Sequence, residues 1–233
     1  MFRDTIPGLD QVFDTDIKPP KTVLVTGPPG SMKSTFVHSL FYRYLNEYPE
    51  HYAFYATLEE ETSSLLEGMN SLGIKPHMNL FITDFTEVRE KAEAGKIDYL
   101  GFLEKVITHY KQKFGDNFKL FALDSLGALY SLMPHEDKDN MRVKMYNFFR
   151  FLRKNNLVSF IIMERSLGGE SNLLGNEGFL ADGIIFMGLD DNHGRLVRYI
   201  QIEKMRSCRH SMEKFGIEVQ EGGMQILRPI FEI

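Results

Sequence analysis

The sequence predicts an α/β fold: a mainly parallel central sheet, helices on both faces and an antiparallel C-terminal extension. Three observations predict it. Short, nearly all-apolar runs alternate with longer segments of helical period through most of the chain. The runs are apolar at successive positions, as strands covered on both faces must be. Beyond residue 195 the period shortens to alternation, and Glu221-Gly222-Gly223 joins two such runs in the manner of a hairpin.

The elements follow in order. Residues 22–26 form a short strand that ends at a glycine loop, and residues 33–48 then have helical spacing. Residues 52–58 are the next strand, followed by Leu65, Leu66, Met69 and Leu72 on one helical face. Residues 80–82 are a third short run. Residues 97–114 read as a helix with Leu100, Leu103, Val106, Ile107 and Tyr110 on one side. Residues 118–123 and 157–163 are buried parallel strands separated by a helix over 138–154, and residues 183–187 are a further strand. Residues 195–203, 214–219 and 224–230 supply the antiparallel edge. Nothing in the composition marks a linker, so residues 1–233 read as one domain.

The totals exclude several classes. Lys and Arg number 27 against 32 Asp and Glu, for a net charge of -5, so no global basic field recruits nucleic acid. The single cysteine, Cys208, forms no intrachain disulfide and suits a reducing cytoplasm, the expected location. The N-terminus carries an acid, Asp4, and no apolar run, so no signal peptide is read there. No apolar run approaches the roughly 20 residues that span a bilayer.

The strongest chemical signal is "GPPGSMKST", residues 27–35. It matches the phosphate-loop pattern G-x-x-x-x-G-K-[ST] except that Met32 stands at the second glycine. A strand runs in and a helix runs out, the setting in which backbone N–H groups and the helix dipole cradle phosphates. Gly27, Pro28, Gly30, Ser31 and Met32 would form the cradle. Lys33 would reach the β- and γ-phosphates of ATP, Ser34 would offer its hydroxyl to Mg²⁺, and Thr35 would sit near the α-phosphate. If residue 32 requires φ > 0, its side chain costs about 1–2 kcal/mol.

The apolar run "KLFALDS" ends in Asp124, which is placed to hold Mg²⁺ through its water shell. Glu59, Glu60 and Glu61 follow the strand at 52–58, at the strand end where α/β sites lie. Glu59 and Glu60 are candidates for orienting or deprotonating water, with an acidic helix start as the competing reading. Glu61 reads as that helix start. Lys204 and Arg206 lie two apart on one face of an alternating strand. By themselves they are also consistent with ordinary surface charge.

Seven pieces in order resemble the KaiC-like branch of the RecA-superfamily ATPases: "TIPGLDQVF", "TGPPGSMKST", "ATLEEET" with the later "SLGI", "LFALDSLGAL", "IIMERS", "FLADGIIFM" and "YIQIEKMRSCRH". Met32 departs from that pattern, and so does Asp14-Thr15-Asp16, where the family has paired glycines. The resemblance implies a RecA-like fold and Mg-dependent ATP hydrolysis. It implies Glu59 as general base, Glu60 as its support, and a homo-oligomeric, commonly hexameric ring. It also implies Lys204 and Arg206 reaching a neighbour's γ-phosphate in trans, with His210 near that interface. Two alternatives share the motifs: a nucleotide-gated scaffold with little turnover, and a DNA-recombinase paralogue. In DNA-handling relatives the central loops hold nucleic acid. The equivalents here, 133–140 and 164–178, each carry three acids against one base, which disfavours DNA as a partner. The stretch 168–176 reads equally as a plain surface loop, as a mobile loop at a subunit face or as a contact for an unidentified protein partner.

Overall fold

The computed structural model describes residues 2–85, 98–132, 140–165, 177–192 and 194–230. The loop 133–139, the stretch 168–176 and the starts of the helices expected at 97 and 138 lie outside the described residues. The acidic-loop reading therefore falls largely outside them as well.

A short helix α1 (Leu9–Val12) precedes β1 (Lys21–Gly27), and α2 (Lys33–Glu47) follows it. Then come β2 (Tyr52–Thr57), α3 (Thr62–Ser71), β3 (Leu80–Asp84), α4 (Tyr99–Phe114) and β4 (Phe118–Asp124). The chain continues through α5 (Leu126–Leu132), α6 (Met141–Lys154), β5 (Val158–Glu164) and α7 (Glu177–Leu180). It ends in β6 (Gly183–Asn192), β7 (Arg195–Met205), β8 (Phe215–Gln220) and β9 (Gly223–Pro229).

The described strands form one sheet in the order β3-β2-β4-β5-β1-β6-β7-β8-β9. Pairing is parallel from β3 to β6 and antiparallel from β6 onward. Side chains of opposite parity on each strand feed two cores. Val23, Val25, Phe36, Leu40, Phe41 and Ile200 pack on one face with α1, α2 and α3. Leu24, Phe54, Phe121, Phe148, Phe149 and Ile161 pack on the other with α4, α5 and α6.

Among the described residues one boundary differs from expectation by more than two residues. β6 runs to Asn192 rather than stopping at 187, because β7 pairs with it along its whole length, from Gly183↔Met205 to Asn192↔Arg195. Backbone pairing carries the polar pair Asp190-Asp191 beyond the core. Of the helix expected over 138–154, the described part runs Met141–Lys154. The segment Asp14–Asp16 is held by the far end of the chain: Asp14 and Thr15 donate backbone N–H to Arg209 O, and Phe13 bridges His210.

The strand order sets where a ligand site can form. β5 lies between β1 and β4, and all three run parallel, so their carboxyl ends share one edge. That edge is where α/β sheets place ligands.

Candidate phosphate-binding site

The loop after β1 is shaped by close approach. A Cβ on Gly27 would lie 2.0 Å from Met187 O, and Gly30 sits at φ +77. Met32 adopts φ 72, ψ 32, immediately before α2. The left-handed requirement thus applies, and Met32 carries its cost of about 1–2 kcal/mol. Partial compensation is visible: the side chain packs against the α2-side core, and Thr35 Oγ1 donates to its sulfur at 3.6 Å. Met32→Ile, β-branched at positive φ, is expected to lose about 1–3 kcal/mol of unfolding free energy in urea. Met32→Gly, which trades packing for strain relief, should stay close to wild type; equal stability of all three would contradict this account of the loop.

Lys33 is 8% exposed, and its Nζ donates to Pro28 O at 2.9 Å. Burial lowers its pKa, and the nearby carboxylates Glu164, Asp124 and Glu59 oppose that shift. Ser34 Oγ donates to Asp124 Oδ2 at 2.7 Å, and Tyr55 Oη donates to the same oxygen at 2.6 Å. Burial raises the pKa of Asp124, while these two hydrogen bonds and Lys33 pull it back. Glu59 Oε1 accepts from the hydroxyl of Ser125, the residue after Asp124. A cavity of about 270 Å³ opens among Pro29, Lys33, Ser34, Glu59, Asp124 and Glu164.

These residues fit a divalent ion. Ser34 and Asp124 are in contact at the cavity wall and offer only oxygen, the donor Mg²⁺ prefers. Among the described residues no group of three or more His, Cys, Asp or Glu could hold a metal ion. The remaining ligands would be water and phosphate oxygens, the usual arrangement for Mg²⁺.

Glu60 faces elsewhere. Its Oε1 accepts from Ser64 Oγ at 2.5 Å, and it lines a second cavity of about 240 Å³ with Leu65, Met69, Ser71, Leu72 and Ile74. Ser34 and Thr35 line both cavities, which are thus neighbours at the start of α2. Glu61 precedes α3, its carbonyl accepting from Leu65 N at 3.0 Å.

His38 also lines the second cavity and packs against Tyr55, ring centroids 4.5 Å apart and the rings tilted by 46°. Burial pushes its imidazole down to about 3. The unfolded chain takes up a proton near pH 6.5 that the folded chain refuses. This contribution to stability is complete above pH 6.5 and falls as pH drops toward 3, by about 1.4 kcal/mol per unit. Urea unfolding of His38→Leu between pH 6.5 and 4.5 should show a slope shallower than wild type by about that amount.

Lys204 and Arg206 do not join this site within one chain. Lys204 pairs with Ile184, which pairs with Leu24, and Arg206 N donates to Asp182 O beside Thr22. Along β1, at 3.3 Å per residue, Lys204 is level with Leu24, about 10 Å short of Gly27, and Arg206 with Thr22, about 16 Å short of it. Lys204 Nζ donates to Gly178 O and Ala181 O at 2.8 and 2.7 Å, and Arg206 Nη2 to Phe179 O at 3.2 Å. Both thus cap the carboxyl end of α7. His210 Nδ1 lies 2.9 Å from Cys208 O.

Four participants escaped the sequence reading. Tyr55 is hidden within an apolar strand. Ser125 gains meaning only through its bond to Glu59. Glu164 enters because β5 is threaded between β1 and β4. Arg198, on β7, donates from Nε to Gly30 O at 3.0 Å. Polar residues at the carboxyl ends of strands were the available signal for Glu164; no signal in the sequence marked Arg198.

Comparison with known proteins identifies the family and the fold. The family model of the KaiC ATPases matches residues 2–230. A UPF0273 protein of Pyrobaculum aerophilum is 26% identical over 97% of this chain and 82% of its own length. The circadian clock protein KaiC2 of Synechocystis is 24% identical over 95% of this chain, which spans 39% of that protein. The crystal structure of a KaiC-like protein from Pyrococcus horikoshii superposes with a TM-score of 0.80 at 25% identity, covering 96% of this chain and 97% of that one. The sheet is accordingly a KaiC-like RecA fold, and the chain belongs to the KaiC ATPase family.

Proposed function

We propose that this chain binds ATP with Mg²⁺ and hydrolyses it slowly at interfaces between copies of itself, acting as a regulatory or signalling ATPase. The observation that carries the reading is the bond from Ser34 to Asp124, made beside Lys33 at the wall of one cavity. The triphosphate would lie along Gly27–Thr35, with the nucleoside directed past Thr35 into the second, more apolar cavity. Mg²⁺, held by Ser34 and Asp124, would neutralise phosphate oxygens.

Glu59, anchored by Ser125, would orient water toward the γ-phosphorus and take its proton as the bond to the β-phosphate oxygen breaks. Glu60 supports the segment through Thr57 and Ser64 rather than touching the same cavity. Lys204 and Arg206 are too far from their own chain's loop, so a neighbour in a homo-oligomeric ring, hexameric by the resemblance, would receive them. Slow turnover rests on the strained Met32 and on Lys33 lying against Pro28 O, which it must leave to meet phosphate. The left-handed Met32 also favours a second reading, in which ATP gates assembly and turnover is incidental; mass measurement with and without ATP separates the two.

Mixing Lys33→Ala and Arg206→Ala chains tests the reading. Each alone should release little phosphate from ATP. A random mixture should regain about a quarter of the wild-type rate, because a site needs one intact loop and one intact neighbour. A mixture no more active than its parts would remove the trans arrangement. Wild-type release no greater than that of Lys33→Ala would remove hydrolysis.

A further inference from the structure

We infer that Arg198 is a positioning residue for the phosphate loop: its Nε–H holds the Gly30 carbonyl outward and so aims the Ser31 amide into the cradle. This rests on the nucleotide reading above and deepens it. In a trans peptide the C=O and the following N–H point in opposite directions. Whatever fixes Gly30 O therefore fixes Ser31 N–H. Arg198 Nε donates to Gly30 O at 3.0 Å from a strand 168 residues away in sequence. Ser31 N–H points the other way, toward Pro28 O at 3.3 Å.

Pro28 O is also the acceptor of Lys33 Nζ at 2.9 Å and Ser31 Oγ at 2.8 Å. Three donors thus converge on one carbonyl oxygen, and a phosphate oxygen entering the cavity would compete for the same donors. The arrangement needs a clamp. Gly30 has φ +77, and beyond its own chain neighbours no atom lies within 4 Å of where its Cβ would be. Glycine reaches several backbone states at little cost, so the Gly30–Ser31 peptide has no local barrier against turning over. The turned peptide would aim a carbonyl oxygen at the phosphates.

The topology explains why Arg198 can do this. Arg198 shares a face of β7 with Ile200 and Ile202, the face that packs with α2. It pairs with Leu189 on β6, and β6 runs beside β1, with Gly27 packed against Met187 O. Two residues further along β6 puts Arg198 level with the tip of the loop.

The side-chain chemistry allows a clean test. Gln places a nitrogen donor at the same number of bonds from Cα as Arg Nε, without charge. Lys keeps the charge but puts a methylene where Nε–H stood. ATP is titrated into wild type, Arg198→Ala, Arg198→Gln and Arg198→Lys, with melting curves as a check on folding. Exchange of the Ser31 amide is followed by NMR in the nucleotide-free proteins. The clamp predicts about fivefold weaker ATP binding for Ala and Lys, the loss of one net hydrogen bond, and near-wild-type binding for Gln. Ser31 exchange should quicken in Ala and Lys but not in Gln. ATP binding by Ala equal to wild type, or by Gln as weak as Ala, would overturn it. If Lys alone rescued, Arg198 would be a plain cation and the clamp would be wrong. Failure of wild type itself to bind ATP would sink the nucleotide reading, and the Ser31 exchange rates would then decide the clamp alone: unchanged exchange in Ala overturns it, faster exchange supports it.

Discussion

Glu59→Gln is expected to lower phosphate release by about 10²–10⁴-fold while ATP affinity stays close to wild type. The substitution keeps the shape of the side chain and an oxygen that can accept from Ser125. It removes only the capacity to take a proton from water. Asp124 and Ser125 are consecutive, so the same backbone turn fixes the metal-side acid and the anchor of the base. Glu60→Gln should cost much less, because Glu60 bonds Ser64 and faces the second cavity. Equal phosphate release by wild type and Glu59→Gln, measured at saturating ATP, would take Glu59 out of the chemistry.

Lys33→Ala is expected to weaken ATP binding by about a hundredfold, the value of a charge-assisted contact at its upper range. The same change should leave the nucleotide-free protein as stable as wild type, or slightly more so. Lys33 is a buried cation whose pKa is lowered by desolvation, and its direct partner is a backbone carbonyl. Burying a charge with incomplete pairing costs free energy, so the empty protein carries Lys33 as a burden that a bound triphosphate relieves. Opposite effects on binding and stability would separate a functional lysine from one that merely holds the loop together.

The strand–loop–helix at residues 21–47 was legible because local signals agreed: an all-apolar strand, glycines at the turn, then helical period. Asp124 was legible for the same reason, as a lone acid closing an apolar run. Pairings across the sheet were not. Nothing local says that β5 inserts between β1 and β4, yet that insertion brings Glu164 toward Lys33. Nor does local pattern show β7 in register with β6 so that Arg198 meets Gly30. α1, α5 and α7 are too short for their period to stand out. The conformation of Met32 could be posed from sequence as two alternatives; the backbone angle chose the costly one.

The loop, Lys33, Ser34 and Asp124 stand or fall as a unit for binding a metal-bound triphosphate. Calorimetric titration of ATP into wild type and Lys33→Ala, each with Mg²⁺ and again with excess chelator, tests that unit most directly. The account predicts saturable binding by wild type that weakens on chelation, and a loss of about two orders of magnitude in the variant. Identical isotherms for the two proteins, or indifference of wild type to Mg²⁺, would contradict it.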